Sequence, residues 1–207
     1  PAISGVDNIW MFMGIYLFSN ILWLFGINGS SIVFPIVFAL CIANTGVNAE
    51  LVNAGKDPTA LINLQMFRYV LLGGAGNTLG LVLLMCKSKS KHIRSIGRLS
   101  VLPGICGINE PIIFGTPIVL NIYLLIPFVL VPLIIGISSY LLMYMGILPL
   151  FSGVMVPWTT PPIISGLLIG GWRVALWQFV MIVVSFVIYL PFIKKIDTLE
   201  LNKENQK

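Results

Sequence analysis

The stretch VLPGICGINEPIIFGTPIVLN, residues 101–121, decides how this chain can fold. It is apolar apart from Glu110 and a few uncharged polar side chains, and Gly or Pro occupies six of its positions. Because Gly and Pro interrupt helices, the stretch cannot cross a bilayer as one regular helix. Irregular backbone at membrane depth is tolerated only where protein or a water-filled cavity surrounds it. The stretch therefore predicts a re-entrant helical hairpin over residues 101–117.

Glu110 is the one charged residue between Arg98 and Arg173. A carboxylate at membrane depth is disfavoured by several kcal/mol unless it faces protein or water. In a broken segment, backbone N–H and C=O groups are also left free to bind a polar ligand. We therefore expect Glu110 to contact substrate. The alternative is a structural carboxylate that is paired with Arg68 or Arg173, or is held neutral by burial.

The composition predicts a membrane protein. Charged residues make up 9% of the chain, against about 25% in soluble globular domains. Apolar runs of spanning length then indicate an all-α polytopic fold, with transmembrane helices plus two re-entrant hairpins or interrupted segments. The net charge of +5 comes from basic residues beside apolar runs, so no nucleic-acid partner is expected. No metal-ligand spacing or cofactor motif is evident, so we expect neither a metal nor a cofactor.

The chain divides into spans and interruptions. Residues 32–43, which contain Pro35, are too short for an ordinary span and favour a re-entrant element, with a full crossing as the alternative. Residues 45–59 are polar and predict a loop or an amphipathic surface helix. A second interrupted stretch, residues 151–171, contains VPWTTPP. The predicted spans are residues 9–27, 60–85, 118–148 and 174–193.

Two basic segments set the orientation. The basic loop at residues 86–100 and the tail at residues 194–207 are both expected to be cytoplasmic, because Lys and Arg beside spans favour that side. An even number of crossings must then separate them. Between them, a hairpin, a span, a non-crossing excursion and a span give two crossings. Within the predicted span 60–85, the glycines are expected to form a small-residue face for helix packing.

Further candidate substrate contacts lie near these interruptions. Asn109 is either a ligand contact or a helix cap. Trp158 and Thr159 follow the second break, where an indole offers a flat apolar face to a sugar ring and a hydroxyl offers hydrogen bonds. The alternative for Trp158 is an aromatic residue at the membrane interface. Trp23 is a candidate of the same kind.

Three blocks of this sequence resemble the phosphotransferase-system permease subunits, enzyme IIC, of the lactose/cellobiose/diacetylchitobiose family. GICGINEPIIFGTPIVLN at residues 104–121 is similar to the family's N-E-P-[IV]-I-F-G-x-P-[IV] block. WLFGINGSSIV at residues 23–33 resembles W-x-F-G-I-H-G-S-S-I-V, and VPWTTPPIISG at residues 156–166 resembles V-P-W-T-T-P-P-I-x-S-G. The resemblance covers essentially the whole chain, aligned to the C-terminal half of a typical IIC subunit.

The resemblance implies a function and a site. It implies a multi-pass protein of the bacterial cytoplasmic membrane that binds a β-linked disaccharide such as cellobiose, diacetylchitobiose or lactose. A IIB partner would phosphorylate the sugar from a phosphocysteine, served indirectly by a IIA subunit, so the chain would share in an enzymatic step only together with its partner. Glu110 would be the catalytic residue, and the full-length protein would be a homodimer. The implied substrate-binding residues are Trp23, Asn28, Gly29, Ser30, Asn109, Glu110, Trp158 and Thr159.

Two departures from the family pattern stand out. Asn28 occupies the position of the His in the G-I-H-G block, and Asn cannot titrate near neutral pH. We also expect residues 1–207 to be the membrane-embedded sugar-binding domain alone, without the family's N-terminal scaffold half. Two other functions therefore stay open: an ion-coupled secondary transporter that uses Glu110, and an inactive truncated permease. Dependence of uptake on a IIB partner would separate the permease from the secondary transporter.

Overall fold

The computed structural model describes residues 8–116, 118 and 121–206. Every regular element in this described part is a helix, which confirms the all-α class. A short 3₁₀ turn, Ala75–Asn77, lies between the third and fourth α-helices. The α-helices are α1 Ile9–Leu24, α2 Gly29–Asn53, α3 Leu64–Tyr69, α4 Leu79–Met85, α5 Lys91–Ile105, α6 Glu110–Gly115, α7 Ile122–Tyr144, α8 Ile164–Gly170 and α9 Trp172–Asn205.

Three helices of the described part, α2, α7 and α9, are long and apolar enough to cross a membrane. α7 continues as one helix through Pro127 and Pro132. α9 has 34 residues, a length of about 51 Å, so it extends beyond a hydrocarbon core of about 30 Å. Much of the predicted tail is therefore a helical extension of the last span. α1 has only 16 residues, about 24 Å, which is shorter than the predicted span 9–27.

Pro35 does not break its helix. α2 continues through it from Gly29 to Asn53. Residues 32–43 are therefore part of one long helix, as the alternative of a full crossing requires, and are not a separate re-entrant element. The prediction of a loop or a separate surface helix at 45–59 is wrong up to Asn53. Pro35 lies in the second turn, where the missing N–H costs a single helical hydrogen bond.

The predicted span at residues 60–85 is wrong, because this segment is broken into α3, the 3₁₀ turn and α4. Gly73, Gly74 and Gly76 adopt φ angles of +77°, +85° and +72°. Side chains rarely tolerate this left-handed region, whereas glycine does. These glycines therefore reverse the chain rather than form a helix-packing face.

Gly80 does allow close helix packing, as predicted. It lies on α4 against α9, where an added Cβ would come within 2.4 Å of the backbone nitrogen of Phe186. Only a residue without a side chain permits that approach. α4 thereby packs directly on the long last helix.

The predicted hairpin at residues 101–117 is present as α5 and α6. α5 ends in a Schellman motif: Gly107 has φ +80°, and the N–H of Ile108 donates to the Pro103 carbonyl at 2.9 Å. α6 then runs back along α5, since a Cβ on Gly115 would lie 3.2 Å from the Ile96 side chain. Pro117, the end of the predicted hairpin, lies outside the described residues.

Buried carboxamide groups hold the interrupted segments in place. Asn48 of α2 is fully buried, and its Oδ1 accepts from the N–H groups of Thr59 and Ala60 at 3.1 and 2.9 Å. Its Nδ2 donates to the carbonyls of Ala60 and Phe151, both at 2.9 Å. One side chain thus satisfies four backbone groups in two segments that have no helical partners.

Gln178 of α9 has a similar role for the residues that directly follow the VPWTTPP stretch. Its Oε1 accepts from the N–H groups of Ile163 at 2.6 Å and Gly166 at 3.0 Å. Its Nε2 donates to the Tyr69 carbonyl at 3.4 Å. Ile163 has φ +72°, a strained conformation for a β-branched residue, and the Gln178 bond fixes it there.

The two basic segments meet at one end of the protein. Asp197 of α9 accepts from the N–H groups of Lys89 and Ser90, and Glu204 accepts from the Ser90 hydroxyl and the next two backbone N–H groups. The helix α9 thus caps the N-terminus of α5. Residues 86–100 are helical from Lys91 onwards rather than an irregular loop. The two segments therefore lie at the same end of the protein, and their cytoplasmic location stays a prediction.

We expect Glu204→Gln to lower the thermal unfolding midpoint of the purified protein in detergent at neutral pH. The Ser90 hydroxyl, followed by the backbone N–H groups of His92 and Lys91, lowers the pKa of Glu204 to about 2. A lowered pKa stabilises the fold above the unfolded value of about 4.3, and this stabilisation is lost as the pH falls towards the folded value.

The difference in unfolding midpoint between wild type and Glu204→Gln should therefore be largest at pH 5–7. It should shrink as the pH falls from about 4 to about 2. Glu200→Gln is the matched control, since Glu200 pairs only with the exposed Lys203 on the same helix and should change little. An equal effect of both substitutions would contradict the capping role.

Candidate functional site

The interrupted segments converge on a cavity of about 540 Å³. This volume falls in the range of about 300–1,000 Å³ that is usual for small-molecule sites. The walls come from the α1–α2 turn, from α3 and the glycine turn after it, from the tip of the α5–α6 hairpin and from the VPWTTPP stretch. The lining residues are Trp23, Asn28, Ser30, Ser31, Phe34, Pro35, Phe67, Arg68, Leu71, Gly74, Ala75, Gly107, Asn109, Glu110 and Trp158.

The α1–α2 turn builds one wall. α1 closes through Gly26, which has φ +77°, and Asn28 then caps α2 by accepting from the N–H of Ser31 at 2.9 Å. The indole N–H of Trp23 donates to the Ser30 hydroxyl at 3.1 Å. The turn thereby lines the cavity with small polar groups, and the buried ring of Trp23 supports them from behind.

Glu110 begins α6 at the tip of the hairpin and is partly exposed to the cavity. Within the described residues, its carboxylate makes no ion pair and no hydrogen bond, so it is paired with neither Arg68 nor Arg173. The structural alternative of a carboxylate locked to a guanidinium is thus not what the structure shows. The acid is available to a ligand in the cavity.

Asn109 is 3% exposed and links the hairpin to the glycine turn. Its Nδ2 donates to the Ala75 carbonyl at 2.6 Å and lies 3.4 Å from the Thr78 hydroxyl. Gly74 makes room for it, because a Cβ there would come within 2.5 Å of the carboxamide. Asn109 borders the cavity, but its amide nitrogen is engaged by the protein, and it does not cap α6.

Trp158 stands between the main cavity and a narrow crevice of about 30 Å³. Its side chain is 63% exposed, so the indole face is open to a ligand. Thr160 lines the crevice. Trp158 therefore borders both spaces.

Comparison with known proteins identifies the fold and the family. The profile of the family described as Phosphotransferase system, EIIC matches residues 2–132. This chain belongs to that family.

The relatives place this EIIC chain more closely. It is 40% identical over 189 residues to the lichenan permease IIC component of Bacillus subtilis (strain 168), covering 89% of this chain and 42% of the relative. It is 42% identical over 190 residues to the lactose-specific EIICB component of Staphylococcus aureus (strain N315), covering 88% of this chain and 32% of the relative. The chain thus spans less than half the length of these relatives.

A solved structure gives the same answer. The transporter ChbC, the IIC component of the N,N'-diacetylchitobiose-specific phosphotransferase system, matches with a TM-score of 0.95 and 37% identity. The match covers 99% of this chain and 48% of that chain. The predicted family and the multi-pass membrane fold are confirmed.

The EIIC cavity gathers six of the eight predicted substrate-binding residues: Trp23, Asn28, Ser30, Asn109, Glu110 and Trp158. Gly29 and Thr159 do not line it. Gly29 is buried where α2 approaches α1, and a Cβ on it would lie 2.1 Å from the Ser19 carbonyl oxygen. Whether the six contact a sugar stays a prediction that the structure alone does not test.

Sequence analysis did not assign Arg68 to this site. Arg68 lines both the cavity and the crevice, and its Nη1 donates to the Val156 carbonyl. The sequence feature that could have identified Arg68 as a site residue is the one used for Glu110, a charged residue within an apolar run. From the sequence, Arg68 was named only as a possible partner of Glu110, because a continuous span was predicted at residues 60–85.

We expect Asn109→Ala to destabilise the protein by about 1–3 kcal/mol, because it leaves the buried Ala75 carbonyl without its partner. The midpoint of thermal unfolding should fall by about 2–4 °C for each kcal/mol. Asn202→Ala, at an exposed position on α9, is the control and should leave the midpoint unchanged. Equal midpoints for both variants would refute the link between hairpin and glycine turn.

Proposed function

We propose that this chain forms the sugar-binding and translocating part of a IIC permease for a β-linked disaccharide such as cellobiose, diacetylchitobiose or lactose. The observation that supports it most directly is the carboxylate of Glu110, which has no partner among the described residues and borders a cavity lined by aromatic and polar groups. The lichenan permease and the lactose-specific relatives are named for β-linked sugars, which supports a β-glycoside as substrate.

The cavity suits a disaccharide in size and chemistry. A sugar ring has an apolar C–H face, which the exposed indole of Trp158 can cover. Trp23 also borders the cavity, but it is 2% exposed and its indole N–H is bonded to the Ser30 hydroxyl, so it shapes the wall more than it offers a free surface. Hydroxyl groups can donate to the Glu110 carboxylate in a charge-assisted hydrogen bond. The serine hydroxyls of the α1–α2 turn add neutral partners.

The proposed chemistry is phosphoryl transfer to the bound sugar. The partner's phosphocysteine loses its S–P bond, a sugar hydroxyl oxygen forms the new O–P bond, and the hydroxyl proton passes to Glu110. A carboxylate without a protein partner can act as such a general base. The lactose relatives are named EIICB components, which supports a B partner for this chain. The IIA subunit, the homodimer and the bacterial cytoplasmic membrane belong to the proposal through the family resemblance.

Uptake should depend on the B partner. In cells that express this gene together with a IIB component, the disaccharide should accumulate as its phosphate, and cells without IIB should accumulate none. Labelled sugar, separated from its phosphate by chromatography, measures both. Accumulation of unmodified sugar without IIB would instead favour an ion-coupled secondary transporter, and the absence of uptake under both conditions would favour an inactive protein.

Glu110→Gln should lower the rate of sugar phosphorylation by about 10²-fold or more, the usual range for loss of a general base. The neutral amide still accepts a hydrogen bond, so sugar binding should weaken by a smaller factor of about 10. The control is Glu50→Gln, on an exposed position of α2 that does not line the cavity. Unchanged phosphorylation in Glu110→Gln would remove Glu110 from the mechanism.

A further inference from the structure

We propose that Arg68 contacts the substrate and supplies a positive charge to the cavity. The family motif has a His, which can be charged, where this chain has the neutral Asn28, and Arg68 takes over that role. This inference rests on the proposed function, because it assigns a role in binding the sugar. It adds a residue that the motif does not contain and a pH dependence that follows from it.

Asn28 cannot supply a charge. Its carboxamide is neutral at every pH, and its Oδ1 is engaged as the N-cap of α2 through the N–H of Ser31. Only its amide nitrogen is left to donate to a ligand. The wall that contains the G-I-N-G turn is therefore uncharged.

Arg68 enters the same cavity from α3. The residues that line the cavity, in the described part of the chain, include no other Lys, Arg or His. The side chain is half-buried, and its guanidinium is anchored through Nη1 to the Val156 carbonyl. A guanidinium has five N–H donors in a planar fork, so most of them are left for the cavity.

Nothing in the described part of the chain neutralises the positive charge of Arg68. Its described partner is a neutral carbonyl, and no described carboxylate lies within ion-pair distance. A charge removed from bulk water needs polar partners. Sugar hydroxyl and ring oxygens have lone pairs that can accept from it, and so a bound sugar satisfies Arg68 at one end and Glu110 at the other.

Because the cation is an Arg and not a His, its charge should not change with pH in the physiological range. Arg stays charged throughout the physiological range, whereas a His has an ordinary pKa of about 6.5. The titratable residues that line the cavity or the crevice together with Arg68 are Glu110 and Tyr69. On the neighbouring α2, Glu50 and Cys41 do not line the cavity, and α8 has no charged residue. The contribution of Arg68 to binding should therefore be constant from pH 5 to 8.

The test measures binding of labelled cellobiose, diacetylchitobiose and lactose to membranes from cells that express the gene, using the disaccharide that wild type binds. Arg68→Gln should weaken binding by about 10-fold or more, as for a lost charged hydrogen bond. The same factor is expected at pH 5.5 and at pH 7.5. Arg173→Gln is the matched control and should bind as wild type, since Arg173 stacks on Trp172 beside a different groove.

A swap variant tests the charge itself. Arg68→Gln with Asn28→His returns a cation to the cavity from the other wall. It should regain affinity at pH 5.5 and lose it towards pH 7.5, with a midpoint near the His pKa of about 6.5. Wild type and the single variant Arg68→Gln should not show this pH-dependent change in affinity.

Wild-type affinity in Arg68→Gln would overturn the inference, as would a swap variant whose affinity does not change with pH. Should Arg68→Gln fail to fold, Arg68→Lys replaces it: retention of affinity within about 3-fold supports the charge, and a folded Arg68→Lys that has lost binding overturns it. A wild-type protein that binds none of the three sugars would refute the proposed function. Binding that is indifferent to Arg68 refutes this inference alone.

Discussion

The structure depends on how the backbone of its broken segments is satisfied away from water. A membrane protein cannot leave N–H and C=O groups unpaired at depth. Here three buried carboxamides, those of Asn48, Asn109 and Gln178, bond to backbone groups of segments that are distant in sequence. A carboxamide can both donate and accept, and those of Asn48 and Gln178 do both, so one side chain can replace several helical hydrogen bonds. These bonds allow non-helical chain to exist in the interior.

The cavity follows from this arrangement. A regular helix satisfies its own backbone and leaves no room beside it, whereas three interrupted segments that meet side by side leave space between their ends. The segments bring Glu110 on a hairpin tip and Arg68 on a short helix to the same volume without pairing them. Two opposite charges held apart make a site with an acceptor and a donor, which fits a molecule rich in hydroxyl groups. The family membership and the ChbC fold agree with such a site.

The comparison of sequence and structure shows where local patterns are sufficient. The hairpin over α5 and α6 was predictable, because Gly107 and the prolines around it leave no regular alternative. Pro35 was misleading, since a proline in the second turn of a helix removes one bond and α2 tolerates it. The segment from Gly73 to Gly76 was the opposite case. Glycines at helical spacing suit a packing face, and their positive φ angles appear only when the chain has to turn.

The sequence by itself determined the membrane class, the family, the hairpin and the candidate acid. These are local properties: apolar composition, Gly and Pro spacing, and one charge in an apolar run. Only the tertiary structure decided that residues 60–85 are broken, that Asn109 is engaged by the Ala75 carbonyl, and that Arg68 faces the cavity. Those outcomes depend on contacts between segments 30 or more residues apart, such as Asn109 with Ala75 and Arg68 with Val156. Local propensity does not encode them, because the free energy of a buried polar group is set by the partner that packing brings to it.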